Sequence, residues 1–334
     1  MSDSEAVRVS VPCRACLSGE DLDWLGGRSV SVALDLMTTV EIGPPGPRAG
    51  EDGGAGGWRE EVWAFLRERL PALAPRPPAV TVRSDAPGAS GLSSSTALIV
   101  ALFRAFADVG APDAEVPEQQ LAQWAYEFEF AVFNGGGMDH LAVVEGGALL
   151  LQGRTSGLPS VRDRLEFPED WALVVVDSGT RKDTGDHIRS VRAQLATRDP
   201  ALTDYRARTD AASEAAWEAL RAHDHEALGA AMSRAHEAMR DCQRMSTPLL
   251  EELRGLARRS VGLPLKLSGA GGGGALVGVC PVAEERETVE RLRRALAGTH
   301  PGARVIPARA SAGVRRGTAG RTGAVGRSTY PSRT

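Results

Sequence analysis

Pro87-Gly88-Ala89-Ser90-Gly91-Leu92-Ser93-Ser94-Ser95-Thr96 is the stretch on which the reading of this chain turns. An alternating, β-branched run, Ala79 to Ser84, leads into it, and an apolar helical stretch, Ala97 to Ala107, leads out. A strand, a tight Gly/Ser loop and a helix start together form an arrangement that holds phosphate. Glycines let the backbone turn and bring N–H groups close to an anion. The open N–H groups and positive dipole end of the next helix stabilise negative charge. The hydroxyls of Ser93, Ser94, Ser95 and Thr96 can meet phosphate oxygens or a magnesium ion. Taken alone, the same residues also read as a serine-rich turn capping a helix. The loop lacks the lysine of a P-loop and the spacing of a dinucleotide fingerprint, so the rest of the chain has to supply what a nucleotide needs.

Outward from the loop, the surroundings are those of an ordinary globular chain. The 334 residues are 42% hydrophobic and 25% charged, enough for one large domain or two moderate ones. A net charge of −4 argues against a nucleic-acid partner. No signal peptide or apolar run long enough to span a bilayer is read, so a cytoplasmic protein without a membrane partner is expected. Cys13 and Cys16 form a C-x-x-C without a second pair at zinc spacing and read as small buried thiols. His187, His223, His225, His236 and His300 lack metal spacing and read as surface positions.

Upstream, Val7 to Val11 reads as a strand. Pro12 to Gly27 reads as a loop carrying Arg14, Glu20, Asp21 and Asp23, and Ser29 to Leu36 and Thr38 to Ile42 as further strand. Gly43 to Gly57 is a Gly/Pro-rich surface loop, and Trp58 to Leu70 and Pro117 to Phe133 are helical. Leu141 to Leu151 reads as a buried strand pair. A second unit begins near Arg164, with a buried strand at Trp171 to Asp177, four long helical stretches, and Lys266 to Val279 as strand, glycine loop, strand. From Gly317 the chain reads as a basic disordered tail. The boundaries expected are therefore 1–163, 164–316 and a tail at 317–334, in an α+β fold with mostly antiparallel sheets.

Three glycine-bearing stretches in this order resemble the GHMP kinase superfamily. Pro87, Gly91, Leu92, Ser93, Ser94 and Ser95 match its P-x-x-x-G-L-[GS]-S-S loop, and Ser268, Gly269, Ala270, Gly271 and Gly272 fall in its C-terminal glycine motif. The first stretch is most similar to galactokinase-like sugar-1-kinases, which carry P-G-R-x-x-L-x-G-E-H-x-D-Y-x-G-G. Pro12, Arg14, Leu17, Gly19, Glu20, Asp23, Trp24, Gly26 and Gly27 match, while Cys13 replaces a glycine and Asp21 replaces the histidine. Gly137-Met138-Asp139-His140 resembles G-I-M-D-Q, with His140 for glutamine.

The resemblance implies two domains, the first like domain 2 of ribosomal protein S5 and the second ferredoxin-like, with ATP, Mg2+ and substrate meeting between them. It implies Asp139 as the base that deprotonates an alcohol, with Arg14 beside it. Gly88 to Ser94 would wrap the α- and β-phosphates, and Ser268 to Gly272 would close near the γ-phosphate. Ser95 and Glu127 would hold magnesium, with Glu129 as the neighbouring alternative. Glu20, Asp21, Asp23, Gly137, His140 and Asp177 would lie by the substrate, a sugar or sugar phosphate phosphorylated at a hydroxyl such as that on the anomeric C1. A monomer or homodimer is expected. Mevalonate-like or homoserine-like acceptors and a non-catalytic sugar/ATP sensor are the alternatives. The carboxylates at 20, 21 and 23 favour the sugar, because a carboxylate substrate would want cations.

Overall fold

In the computed structural model, residues 7–43, 55, 57–181 and 184–318 are described. The first part of the chain forms β1 (Val7–Ser18), α1 (Leu22–Leu25), β2 (Arg28–Ile42), α2 (Trp58–Arg67), β3 (Thr81–Ser84), α3 (Ser94–Gly110), α4 (Glu118–Phe133), α5 (Met138–Glu145), β4 (Ala148–Gln152) and β5 (Ser160–Leu165). There follow β6 (Trp171–Asp177), α6 (Thr184–Thr197), α7 (Pro200–Arg221), α8 (His225–Gln243), α9 (Pro248–Val261), β7 (Lys266–Leu267), β8 (Ala275–Pro281), α10 (Val282–Ala297), β9 (Arg304–Ala308) and β10 (Arg315–Thr318).

The strands make two antiparallel sheets. The first runs β10-β1-β2-β4-β5, with β3 also paired to β2; the second runs β7-β8-β6-β9. β2 is long enough to serve two partners, β4 through Arg28–Val32 and β3 through Thr38–Glu41. The α+β architecture read from the sequence is the one observed.

α3 sits in the middle of the first half. Its residues from Ala97 to Ala107 are all buried, Arg104 included, because β1, β2, α2, α4 and α5 surround it. A helix apolar on every side can only be an interior one. Phe103, Phe106, Trp63, Phe65 and Phe128 meet edge to face around it, at centroid separations from 4.9 to 5.9 Å.

β6 explains why Trp171 to Asp177 is apolar without alternation. Leu173 and Val175 point into the core shared with the first sheet, whereas Ala172, Val174 and Val176 point into the core under α8, α9 and α10. Successive side chains of a strand take opposite faces, so a sheet covered on both sides needs apolar residues at every position. The first of these cores joins Val32 and Leu149 to Trp217, Leu228 and Val277. The two halves are thus fused through common packing.

Four expectations change. Pro12 to Ser18 continues β1, so Arg14 stands on a strand while Asp21 and Asp23 belong to the start and body of α1. Leu141 to Glu145 is helix, and only Ala148 onward is strand; a short apolar run buried on all sides carries no period to tell the two apart. Ser29 to Ile42 is one strand rather than two. Gly317 and Thr318 pair with Arg8 and Val7, so the last described strand closes the edge of the first sheet rather than ending the second half. The rest of the expected tail, 319–334, lies outside the described residues, as do the expected frayed start and most of the 43–57 loop.

Candidate active site

The three glycine-bearing stretches meet at Arg14. Its Nη1 donates to Gly91 O at 2.6 Å in the Gly/Ser loop and reaches Ser268 Oγ at 3.4 Å in the C-terminal loop. Ser268 Oγ in turn contacts Gly91 O at 3.3 Å and accepts the Cys16 N–H at 3.1 Å. The main chain adds Arg14 N–H to Leu92 O at 3.0 Å and Ala275 N–H to Ser90 O at 2.7 Å. Gly274 has φ +82°, and a Cβ there would stand 2.5 Å from Ser90 O, so only glycine lets the two loops touch. Ala89 and Ser93 are held left-handed at φ 56° and 60°, a strained backbone in the loop itself. No side chain caps α3, and Ser93, Ser94, Ser95 and Thr96 at its start face a cavity of about 320 Å³.

Ser90 and Gly91 line the same cavity, as do Gly269 and Ala270 from the far half. Pro87, Gly88 and Leu92 do not. Pro87 O instead accepts the Ser90 hydroxyl at 2.8 Å, and Leu92 is core. Gly271 and Gly272 also stay outside the lining; Gly271, at φ +79°, packs against Met245, and Gly272 N–H bonds to Met245 O at 2.8 Å. Those two glycines shape the loop from behind.

Asp139, in the first turn of α5, faces the cavity. Its Oδ1 accepts Arg14 Nε at 2.8 Å and lies 2.6 Å from Nη2. Burial is the largest single influence and by itself would raise this carboxyl, but the Arg14 charge and the hydrogen bonds from Ser93 and Arg14 together hold the group below the ordinary aspartate range. Asp139 is therefore ionised at neutral pH.

The metal expectation at position 127 is corrected. Glu127 lies on the outer side of α4, where it pairs with Arg69 at 3.0 Å and accepts from Gln123 at 2.9 Å. Glu129 is the buried member and lines the cavity with Ser95. Its Oε2 has no hydrogen bond and lies 2.6 Å from His140 Nε2. Ala122, Ala125 and Glu129 share one face at helical spacing, a signal legible in the sequence that sets Glu129 with the buried side. Ser95 and Glu129 supply the oxygen donors a hard cation such as magnesium takes.

The cavity is also lined by Glu20, Asp21, Asp23, Trp24, Phe130 and Ile188, together with His140. Glu20 is a brace rather than a free acceptor. Its Oε1 pairs with the fully buried Lys266 Nζ and accepts Gly269 N–H at 3.2 Å, tying the first stretch to the third. Asp21 takes the position of the family's histidine, and an imidazole returns from elsewhere: His187 of α6 places Nε2 2.7 Å from Asp21 Oδ2. That histidine is not the surface position expected. Nor is His236, which is fully buried between Leu267 N–H and Glu251, with burial pushing it down to about 4. Asp23 accepts Met138 N–H at 2.9 Å, and burial pushes its carboxyl up to about 7. Gly136 makes room for it, since a Cβ there would fall 1.9 Å from Asp23 Oδ2. Gly137 leads into α5 from outside the lining. Asp177 is removed from the site: it is buried at the end of β6 and held by Arg304 at 2.7 Å.

Comparison with known proteins agrees with this geometry. The GHMP kinases N terminal domain model matches residues 60–147, and the GHMP kinases C terminal model matches residues 216–301. The chain is similar to a galactokinase of Mycobacterium bovis, 27% identical over 86% of this chain and 93% of the relative. In structure it resembles the Lactococcus lactis galactokinase complexed with galactose (TM-score 0.75, 17% identity, 94% of this chain and 95% of that one). It also resembles the L. major mevalonate kinase in complex with R-mevalonate (TM-score 0.72, 20% identity, 90% and 96%). With both family models spanning just over half of the chain and the two-domain fold in place, this protein belongs to the GHMP kinases, ATP-dependent enzymes that phosphorylate an alcohol.

Proposed function

We propose that the protein transfers the γ-phosphate of ATP to a hydroxyl of a sugar-type, polyhydroxylated acceptor. The observation that carries this reading is the joint at Arg14: one guanidinium holds an ionised Asp139 and both glycine loops at a single cavity. The α3 start with Ala89, Ser90, Gly91 and Ser93 of the loop cradles the phosphates, and Gly269 and Ala270 close from the other side. Ser95 and Glu129 would hold magnesium, which would neutralise charge on the nucleotide phosphates. Asp139 accepts the proton of the acceptor hydroxyl as it attacks phosphorus, and Arg14 offsets charge developing on the transferred group.

The cavity lining supports a substrate without a carboxylate or phosphate of its own. Among the described residues lining the cavity, the one arginine or lysine is Arg14, and Asp139 and Gly91 already engage it. An anionic acceptor such as mevalonate would face Asp21 and Asp23 with no cation to meet it. A purely sensing role is disfavoured because a base and a metal carboxylate both line the cavity. The test is ADP release with magnesium-ATP against a panel of sugars, sugar phosphates, mevalonate and homoserine. Turnover with neutral sugars is expected; turnover confined to mevalonate or homoserine would overturn the acceptor reading.

A further inference from the structure

The carboxylates around the cavity are not equally provided for. Asp139 has Arg14, Glu20 has Lys266, and Asp21 has His187. Asp23 has none of these. The residue is 5% exposed, and the hydrogen bond its carboxylate accepts is from the main-chain N–H of Met138. Arg192 stands 5.0 Å over the neighbouring Trp24 ring, yet donates to Asn134. Burial, with repulsion from Asp139 and Asp21, holds Asp23 above an ordinary aspartate, at about 7, although the Met138 N–H and the Arg14 charge act the other way.

A neutral hydroxyl can donate a hydrogen bond to Asp23 but leaves its charge uncompensated in a poorly solvated site. An ammonium group offers three donors and the missing charge together. Aromatic Trp24 and Phe130 line the same cavity and tolerate a cation beside their rings. Resting on the kinase reading above, we propose that the acceptor is an amine-bearing polyol, an amino sugar or amino cyclitol, whose ammonium docks on Asp23 while another of its hydroxyls faces Asp139. Asp23 is then a specificity-determining residue.

The experiment compares matched pairs under magnesium-ATP: glucosamine against glucose and galactosamine against galactose, with the N-acetyl sugars as neutral controls of equal or larger size. At least one amine should exceed its neutral twin by about tenfold or more in kcat/KM, the order expected of a buried charge pair. N-acetylation should abolish the gain, and Asp23→Asn should reduce it without removing ATP binding. Neutral sugars turned over as well as or better than every amine would overturn the amine proposal and leave the kinase reading standing. No ADP release with any alcohol, from protein that binds ATP, would remove the kinase reading; calorimetry of glucosamine and galactosamine then decides separately. Amine binding that is lost in Asp23→Asn supports the proposal, and no amine binding overturns it. Because Asp23→Asn could perturb folding, the N-acetyl arm decides the matter on the unmodified chain.

Discussion

Asp139 and Asp23 line one cavity as near neighbours, are built from the same side chain, and have opposite properties. Asp139 lies against Arg14 and is held below the ordinary range; Asp23 has a single main-chain donor and is pushed up to about 7. Burial acts in the same direction on both. The partner decides the outcome, and with it the task each carboxylate can perform. A stably ionised group can take a proton without competing for one from solvent. A buried group without an ion-pair partner is costly in the free protein and becomes useful when a ligand brings one.

The strongest way to break this contrast is Asp139→Asn. Loss of a general base costs about 10²–10⁴-fold in rate. ATP binding, measured by calorimetry, should survive because the phosphate cradle is main chain and hydroxyl; undiminished turnover would remove Asp139 from its role. Arg14→Met should come next. It strands a buried carboxylate and is expected to destabilise the fold by about 3–5 kcal/mol. Any residual activity should lose its acid limb at a higher pH, because the Asp139 carboxyl rises once the guanidinium is gone. An unmoved limb would show that Arg14 does not set that ionisation.

A smaller effect separates the two glutamates of α4. Glu129→Gln should raise the magnesium needed for half-maximal rate by at least about tenfold, the scale seen when groups around a bound metal are altered. Glu127→Gln, which disturbs only the Arg69 and Gln123 contacts, should leave it unchanged. The reverse pattern would return the metal to position 127.

The smallest expected effect bears on stability. Asp23 has a folded value of about 7 against an ordinary 3.8. Between those pH values the folded chain keeps a proton the unfolded chain has lost, so stability falls as pH rises through the window. Above about pH 7 the penalty is complete. Asp23→Asn should therefore raise stability at pH 8 by about 1–3 kcal/mol, with the gain fading toward pH 4. Melting curves across that range check the sign, and a variant less stable at pH 8 would mean that Asp23 is compensated in the free protein.

Much of this was legible in the chain. The Gly/Ser loop before an apolar stretch announced the start of α3, and the interior position of α3 follows from its lack of a polar face. That Arg14 lies beside Asp139, and that the C-terminal glycine loop meets the Gly/Ser loop, was implied by the resemblance to the GHMP kinases. The errors fall where one dimension runs out. Leu141 to Glu145 could be strand or helix because an all-apolar run has no period. Glu127 and Glu129 differ by two positions, and only the helical spacing from Ala122 and Ala125, which sets Glu129 on the buried side, separates them.

What the sequence by itself determined is the set of local conformations: where glycine permits a left-handed turn, where hydroxyls and backbone N–H groups gather, and which runs must be buried. Those follow from covalent geometry and periodicity, which neighbours in the chain already express. What only the tertiary structure decided is which charge meets which. Lys266 is 246 residues from Glu20 and His187 is 166 from Asp21. Among the described residues, Asp23 reaches no such partner. Electrostatic character depends on distance through space and on the exclusion of water, and both exist only once the two sheets and α6 have closed around the cavity.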